Sequence, residues 1–189
     1  VTENFSPGDS AYIDTTGGFR NSSYFLMSVV RMLEYSGVKL LKAVYSKQDR
    51  DGNDNRIIDI TDLYRKYDLI NAVDAFPNFG NSYELEQYFI NTEEPAVKEA
   101  IAAMNSFSDM ISLCRTSELS TILESLNLSL EKLRTIQSDS ADIILFQSLI
   151  NTIKDKFYMK NNVIEYPDVI RWCLDNRLIQ QAVTIYVEK

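Results

Sequence analysis

Residues 12–37 read "YIDTTGGFRNSSYFLMSVVRMLEYSG", and this stretch decides the fold. A short apolar run ends in Asp14-Thr15-Thr16, two glycines follow, and an apolar helix starts behind Arg20, Asn21, Ser22 and Ser23. "SAYIDTT" reads as a strand. "VKLLKAVYS", after a C-cap at Gly37, returns as a second strand rich in β-branched and aromatic side chains. Strand, helix and strand in that order require a crossover that lays the two strands parallel. The helix is apolar almost all round at its start, which predicts deep burial. "KQDRDGNDN" supplies turn chemistry, with Asp51-Gly52 and Asn53 tolerating positive φ, and "RIIDIT" is the second arm of a hairpin. The expected class is α/β, with a partly parallel sheet. Three strands make a poor sheet alone, so further strands are expected from sequence ahead of Val1.

From Thr61 onward the pattern is helical. Leu63, Tyr67, Ile70 and Val73 recur at helical spacing after a Thr61/Asp62 cap, and "PNFGN" breaks the run. "SYELEQYFI" is a short helix led by Ser82. Pro95 opens a long amphipathic segment to about Gln137, interrupted near Thr116-Ser117. "IILFQSLINTIKDKFYMK" and "VIRWCLDNRLIQQAVTIYVEK" complete the helical part on either side of a "NNVIEYPD" loop. The expected division is residues 1–93, an α/β part, and 94–189, an all-helical part. The chain starts without methionine and stops inside a helical pattern, so it reads as a fragment of a longer protein.

Composition narrows the function classes. A chain of 189 residues, 45% hydrophobic, can bury a real core. Its formal charge of -8 argues against bulk binding to duplex nucleic acid, while leaving room for a local cationic pocket. Histidine is absent, which excludes a Ser-His-Asp triad, a Cys-His pair and a histidine metal site. Cys114 and Cys173 sit in helical patterns and read as small buried hydrophobes. No signal peptide and no bilayer-length apolar run is visible, so a cytoplasmic protein without a membrane partner is expected.

The Thr15–Asn21 junction lies where an open parallel sheet binds ligands, beyond the carboxyl ends of its strands. Glycines there allow close approach to the backbone, and the start of the helix favours an anion such as phosphate. Thr15, Thr16, Asn21, Ser22 and Ser23 add neutral donors, and Arg20 a fork suited to phosphate oxygens. Equally, Gly17-Gly18 fit a plain tight turn with Ser22 or Ser23 as helix cap, and the residues alone leave both readings standing. Ser46, Lys47 and Arg50 follow the second strand and fall on the same side if the strands are parallel. "DRDGNDN" resembles a calcium loop only in its density of oxygens: its glycine is misplaced and its twelfth position is Ile60. Glu93-Glu94 read as a solvated pair rather than an acid/base pair.

"YIDTTGGFRNSSYFLMSVVRMLEYSGVKLLKAVYS", with "IIDITDLYRKYDLINAVDAFPNFGN" after it, resembles the CARF (CRISPR-associated Rossmann fold) domains of CRISPR-associated ribonucleases over roughly Ala11–Phe89. "VIRWCLDNRLIQQAVTIYVEK" is similar to the entrance of the helical HEPN domain that follows CARF in such proteins. The resemblance implies a Rossmann-like sheet, a homodimer, and binding of cyclic oligoadenylate across the dimer axis in antiviral defence. By the same resemblance Thr15, Thr16, Gly17, Gly18, Phe19 and Arg20 contact the ligand, with Asn21 and Ser22 supporting. Phe19 and Arg20 stand where many relatives have Thr-Lys. RNA would be cut through an R-x4–6-H motif, which a chain without histidine lacks, so no catalytic residue, metal or cofactor is assigned here. A ring nuclease acting on the same messenger and a CARF-type transcriptional regulator are the alternatives.

Overall fold

The computed structural model describes residues 4–17, 20–47, 55–158 and 163–188. Among them are three strands and eight helices: β1 (Ser10–Asp14), α1 (Arg20–Tyr35), β2 (Lys39–Lys47), β3 (Arg56–Asp59), α2 (Thr61–Phe79), α3 (Tyr83–Tyr88), α4 (Pro95–Leu113), α5 (Leu119–Thr135), α6 (Ala141–Lys156), α7 (Tyr166–Asp175) and α8 (Ile179–Glu188). The α/β class is as expected. The chain forms two compact units, Val1–Lys66 and Tyr67–Lys189, and the break expected between residues 93 and 94 lies inside the second, between α3 and α4.

The first unit is a sheet of order β1-β2-β3. β1 runs parallel to β2, with a register shift between Ala11 and Tyr12, and β3 returns antiparallel with Lys47 opposite Arg56. Val30 of α1 and Tyr64 of α2 pack with Ile13 and Ala43, and Leu33 packs with Ala11 and Val38. Gly37 ends α1 as expected, at φ 85°, with Val38 N–H returning to Leu33 O at 3.0 Å. Burial of α1 is shallower than its composition predicts: Phe25 and Met32 are 70% and 61% exposed. A three-stranded sheet presents a strip wide enough to cover only one face of a 16-residue helix.

Asp59 rather than Thr61 serves the start of α2, accepting Thr61 N–H at 3.0 Å. The buried Thr61 hydroxyl turns to the sheet, where it accepts Ala43 N–H at 2.9 Å. Helix α2 continues through Pro77 and stops at Gly80, φ 66°, instead of breaking at the proline.

The second unit is helical, around one apolar core. Leu119, Leu123, Leu126, Leu130 and Leu133 line one face of α5 and share that core with Val97, Ala100, Met104 and Phe107 of α4. Phe76, Phe107, Phe157 and Trp172 form an aromatic cluster, Trp172 stacking on Phe157 at 4.9 Å between ring centroids. Trp172 Nε1–H donates to Pro77 O at 2.6 Å, so the carbonyl of the proline anchors the indole. The expected interruption near Thr116-Ser117 is the turn between α4 and α5. Ser82 makes no capping bond: its buried hydroxyl pairs with Asn105 Oδ1 of α4 at 2.5 Å. Arg177, at φ 61°, divides the last helical stretch into α7 and α8.

Candidate functional site

The turn after β1 is tied to the end of β2 by its two threonines. Thr15 donates from its main-chain N–H and its hydroxyl to Val44 O, at 2.9 and 3.0 Å. Thr16 donates from its N–H to Asp14 Oδ1 at 2.9 Å and from its hydroxyl to the same oxygen, while its Oγ1 accepts Ser46 N–H at 2.7 Å. A threonine hydroxyl has one proton. Both hydroxyl protons are therefore committed within the chain, and the side chains of Thr15 and Thr16 shape the turn. The Thr16 hydroxyl, and then its N–H, hold the Asp14 carboxyl below the usual carboxylate range.

Gly17 is informative because neither of the ordinary structural demands for glycine applies to it. Its φ lies outside the positive range, and a Cβ built on it meets nothing within 4 Å among the described residues. A tight turn needing left-handed backbone does not account for it. The missing side chain leaves open space beside the strand ends instead. Gly18 and Phe19 lie outside the described residues. Arg20 and Asn21 open α1, and Ser22 is exposed on its first turn.

A pocket of about 560 Å³ adjoins this turn, lined by Thr16, Tyr45, Ser46, Lys47, Asn55, Arg56 and Ile57. It brings together Thr16 of the expected site with Ser46 and Lys47; Arg50 lies outside the described residues. Sequence reasoning missed Arg56, Tyr45 and Asn55. What places Arg56 is the hairpin register: the first residue of β3 pairs with the last of β2, so a second cation sits across from Lys47. Two cations, a serine and a bare glycine beside the carboxyl ends of two parallel strands suit an anionic ligand.

The remaining candidates hold structural positions. Glu94 caps α4, accepting Ala96 N–H at 3.4 Å, and Glu93 pairs with Lys98 at 3.4 Å. Cys173 is buried and its thiol is pushed up to about 12, chiefly by burial and secondarily by Cys114; both cysteines are free. Among the described residues no group of three or more His, Cys, Asp or Glu side chains is arranged to hold a metal, and no helix is long and apolar enough to cross a membrane.

Charge separates the two units. Residues 1–66 hold nine Lys and Arg against nine Asp and Glu, whereas residues 67–189 hold ten against eighteen, so the whole formal charge of -8 resides in the second unit. An anion meets its electrostatic opposition there, and the pocket suited to it lies in the balanced unit.

Residues 67–162 match the family model described as CRISPR-associated protein MJ1674, second domain. That match begins at the first residue of the second compact unit and covers just over half of the chain. No curated protein matches the chain.

Proposed function

From the premise that this chain belongs to the family of the CRISPR-associated protein MJ1674 second domain, we propose that it is a ligand-sensing module of CRISPR-associated antiviral defence. Its ligand is cyclic oligoadenylate, held by its phosphates at the turn after β1. The observation that carries this reading is the pocket beside the turn after β1, which gathers Ser46, Lys47 and Arg56 next to Thr16, the chain neighbour of Gly17. Ser46, Lys47 and Arg56 meet phosphate oxygens, Gly17 and Gly18 allow close approach, and Arg20 contributes from the start of α1. Phe19, Asn21 and Ser22 flank the ligand. Thr15 and Thr16 hold the turn in shape rather than donating to the ligand. The ring spans two copies of the chain, and its preference for one arrangement of the dimer is what the helical unit passes on. RNA enters only through a HEPN-type domain outside these residues.

Titration calorimetry against cyclic tetra- and hexa-adenylate, with linear oligoadenylates as controls, tests the proposal. One ring binds at one per dimer. Lys47→Ala and Arg56→Ala each weaken it by about tenfold or more, the loss of a charged hydrogen bond. Gly17→Val does the same while leaving the melting temperature unchanged, because its side chain enters open space. Failure of both rings to bind the folded protein rejects the reading. Consumption of the ring during the titration identifies the ring nuclease instead.

A further inference from the structure

The second unit carries a groove of about 740 Å³ that the ligand site does not involve. One wall is α5, through Leu123, Glu124, Asn127 and Leu128; the other is the run Val163, Ile164 and Glu165 with Tyr166, the first residue of α7. This second wall is fixed by a side-chain clasp. Asn127 Nδ2 donates to Ile164 O at 3.0 Å, and Ile164 N–H donates to Asn127 Oδ1 at 2.8 Å. One amide thus satisfies both main-chain groups of Ile164, as a neighbouring strand would. The groove is therefore preformed.

Its chemistry is one-sided. Leu128, Val163 and Tyr166 stand at its lips, 71%, 44% and 48% exposed, above the buried Leu123 and Ile164. Among the described residues the ionisable lining, apart from Tyr166, consists of carboxylates: Glu124, Glu131 and Glu165. Glu131 already engages Arg134 and Lys154, at 2.5 and 3.2 Å, and Glu165 shares the capping box of α7 with Asp168; Glu124 and Glu165 are both exposed, so their charge faces an approaching partner. The surrounding unit adds its -8. Nucleic acid and anionic lipid are repelled by that field, and a second copy brings the same acidic unit.

We infer that this groove docks an amphipathic helix of a basic partner protein, its apolar side chains seated between Leu128 and Tyr166 and its lysines or arginines facing Glu124 and Glu165. Apolar anchors at i, i+3, i+4 and i+7 are what such a groove reads. The flanking cations set the approach rate and the orientation.

The test uses the full chain and a fluorescein-labelled Leu/Lys helix of about 15 residues, a length that sustains helicity when docked. Two peptides of equal length serve as controls, one with every Lys replaced by Glu and one with the same Leu and Lys in an order that has no helical period. Anisotropy is expected to show saturable binding of the Leu/Lys helix at micromolar concentration, with both controls at least tenfold weaker. Leu128→Asp and Glu124→Lys, both at exposed positions, are each expected to cost about tenfold, near the 1.4 kcal/mol that tenfold represents, with the thermal melt unchanged. Equal affinity for the scrambled peptide, indifference to Leu128→Asp, or no saturable binding at all overturns the inference.

Discussion

Among the described residues, the two units differ in the size of the apolar core they build, though both leave large apolar side chains exposed. Residues 67–189 gather thirty buried hydrophobic residues into one contiguous cluster. The described residues of 1–66 include seven buried hydrophobic ones, in two small clusters, and leave Tyr12, Phe25, Met32 and Ile57 between 61% and 72% exposed. Core size sets the margin by which burial outruns chain entropy, so the helical unit is self-supporting and the sheet unit is the softer one. The soft, charge-balanced unit holds the pocket and the rigid, acidic one holds the family match. The larger core and the proposed ligand site thus fall in different parts of the chain, and unfolding in urea is expected in two steps, the sheet unit first. A single transition seen alike by Trp172 fluorescence and far-ultraviolet circular dichroism breaks the comparison.

The largest expected effect lies in the large core. Trp172 is 1% exposed, packs on Phe107 and Phe157, and donates to Pro77 O. Trp172→Ala is expected to cost about 3–5 kcal/mol, the range for truncating a buried aromatic, all of it in the second urea step. Next comes Thr61→Val in the sheet unit. The substitution leaves Ala43 N–H without its 2.9 Å partner, a loss of about 1–3 kcal/mol that moves the first step and spares the second.

These two positions also show what could be read from the sequence. Helical period in α4 and α5 exposed the elements, because burial imposes the 3.6-residue repeat wherever a helix faces one large core. In "TDLYRKYDLINAVDAF" it exposed the helix but not its buried face: Leu63, Tyr67 and Ile70 are exposed, and Tyr64, Leu69, Ala72 and Phe76 are buried with Val73. Strand–helix–strand order gave the parallel pair, and hairpin chemistry the antiparallel one. Local signals failed where a distant partner outbid them. Thr61 and Ser82 looked like caps, yet each hydroxyl is spent on another element, the sheet in one case and Asn105 in the other. Pro77 looked like a break, but its carbonyl is held by Trp172, ninety-five residues away. At the site, Thr16, Ser46 and Lys47 were legible from their place after the strands. Arg56 was not, because its approach to Lys47 depends on a register that no local pattern displays.

A smaller effect sits at the edge of the helical core. Lys154 has a side chain only 7% exposed and bonds Glu131 at 3.2 Å, while Glu131, 43% exposed, also grips Arg134. Arg134 foremost, and then Lys154, carry the Glu131 carboxyl from 4.5 down to about 2. A depressed carboxylate stabilises the fold above its unfolded value and ceases to do so as pH falls through the folded one. Glu131→Gln is expected to cost about 1 kcal/mol at neutral pH, a buried-pair loss cut down by solvent screening. Melting temperatures of wild type and variant should converge as pH drops from about 4.5 toward about 2. A difference that persists at the acid end assigns the effect to packing of the longer Lys154 stem instead.

The smallest effect on stability is expected at Asp14, and it bears most directly on the proposed ligand site. Its exposed carboxylate takes two hydrogen bonds from Thr16, whose oxygen in turn accepts Ser46 N–H at 2.7 Å. Asp14→Asn keeps the shape of the side chain and removes its charge, so Thr16 has less reason to present its lone pair to Ser46. Thermal unfolding should not move, since nothing buried is disturbed. Protection of the Ser46 amide, its exchange measured against the intrinsic rate at the same pH, should fall several-fold, and the same loss of protection should appear in the wild type as pH falls below the ordinary carboxylate range and Asp14 takes up its proton. Thr16→Ser, which retains the hydroxyl, should exchange like wild type, and Thr16→Val like Asp14→Asn. If all three variants exchange alike, strand pairing alone holds Ser46, and the threonine hydroxyl becomes available to the ligand after all.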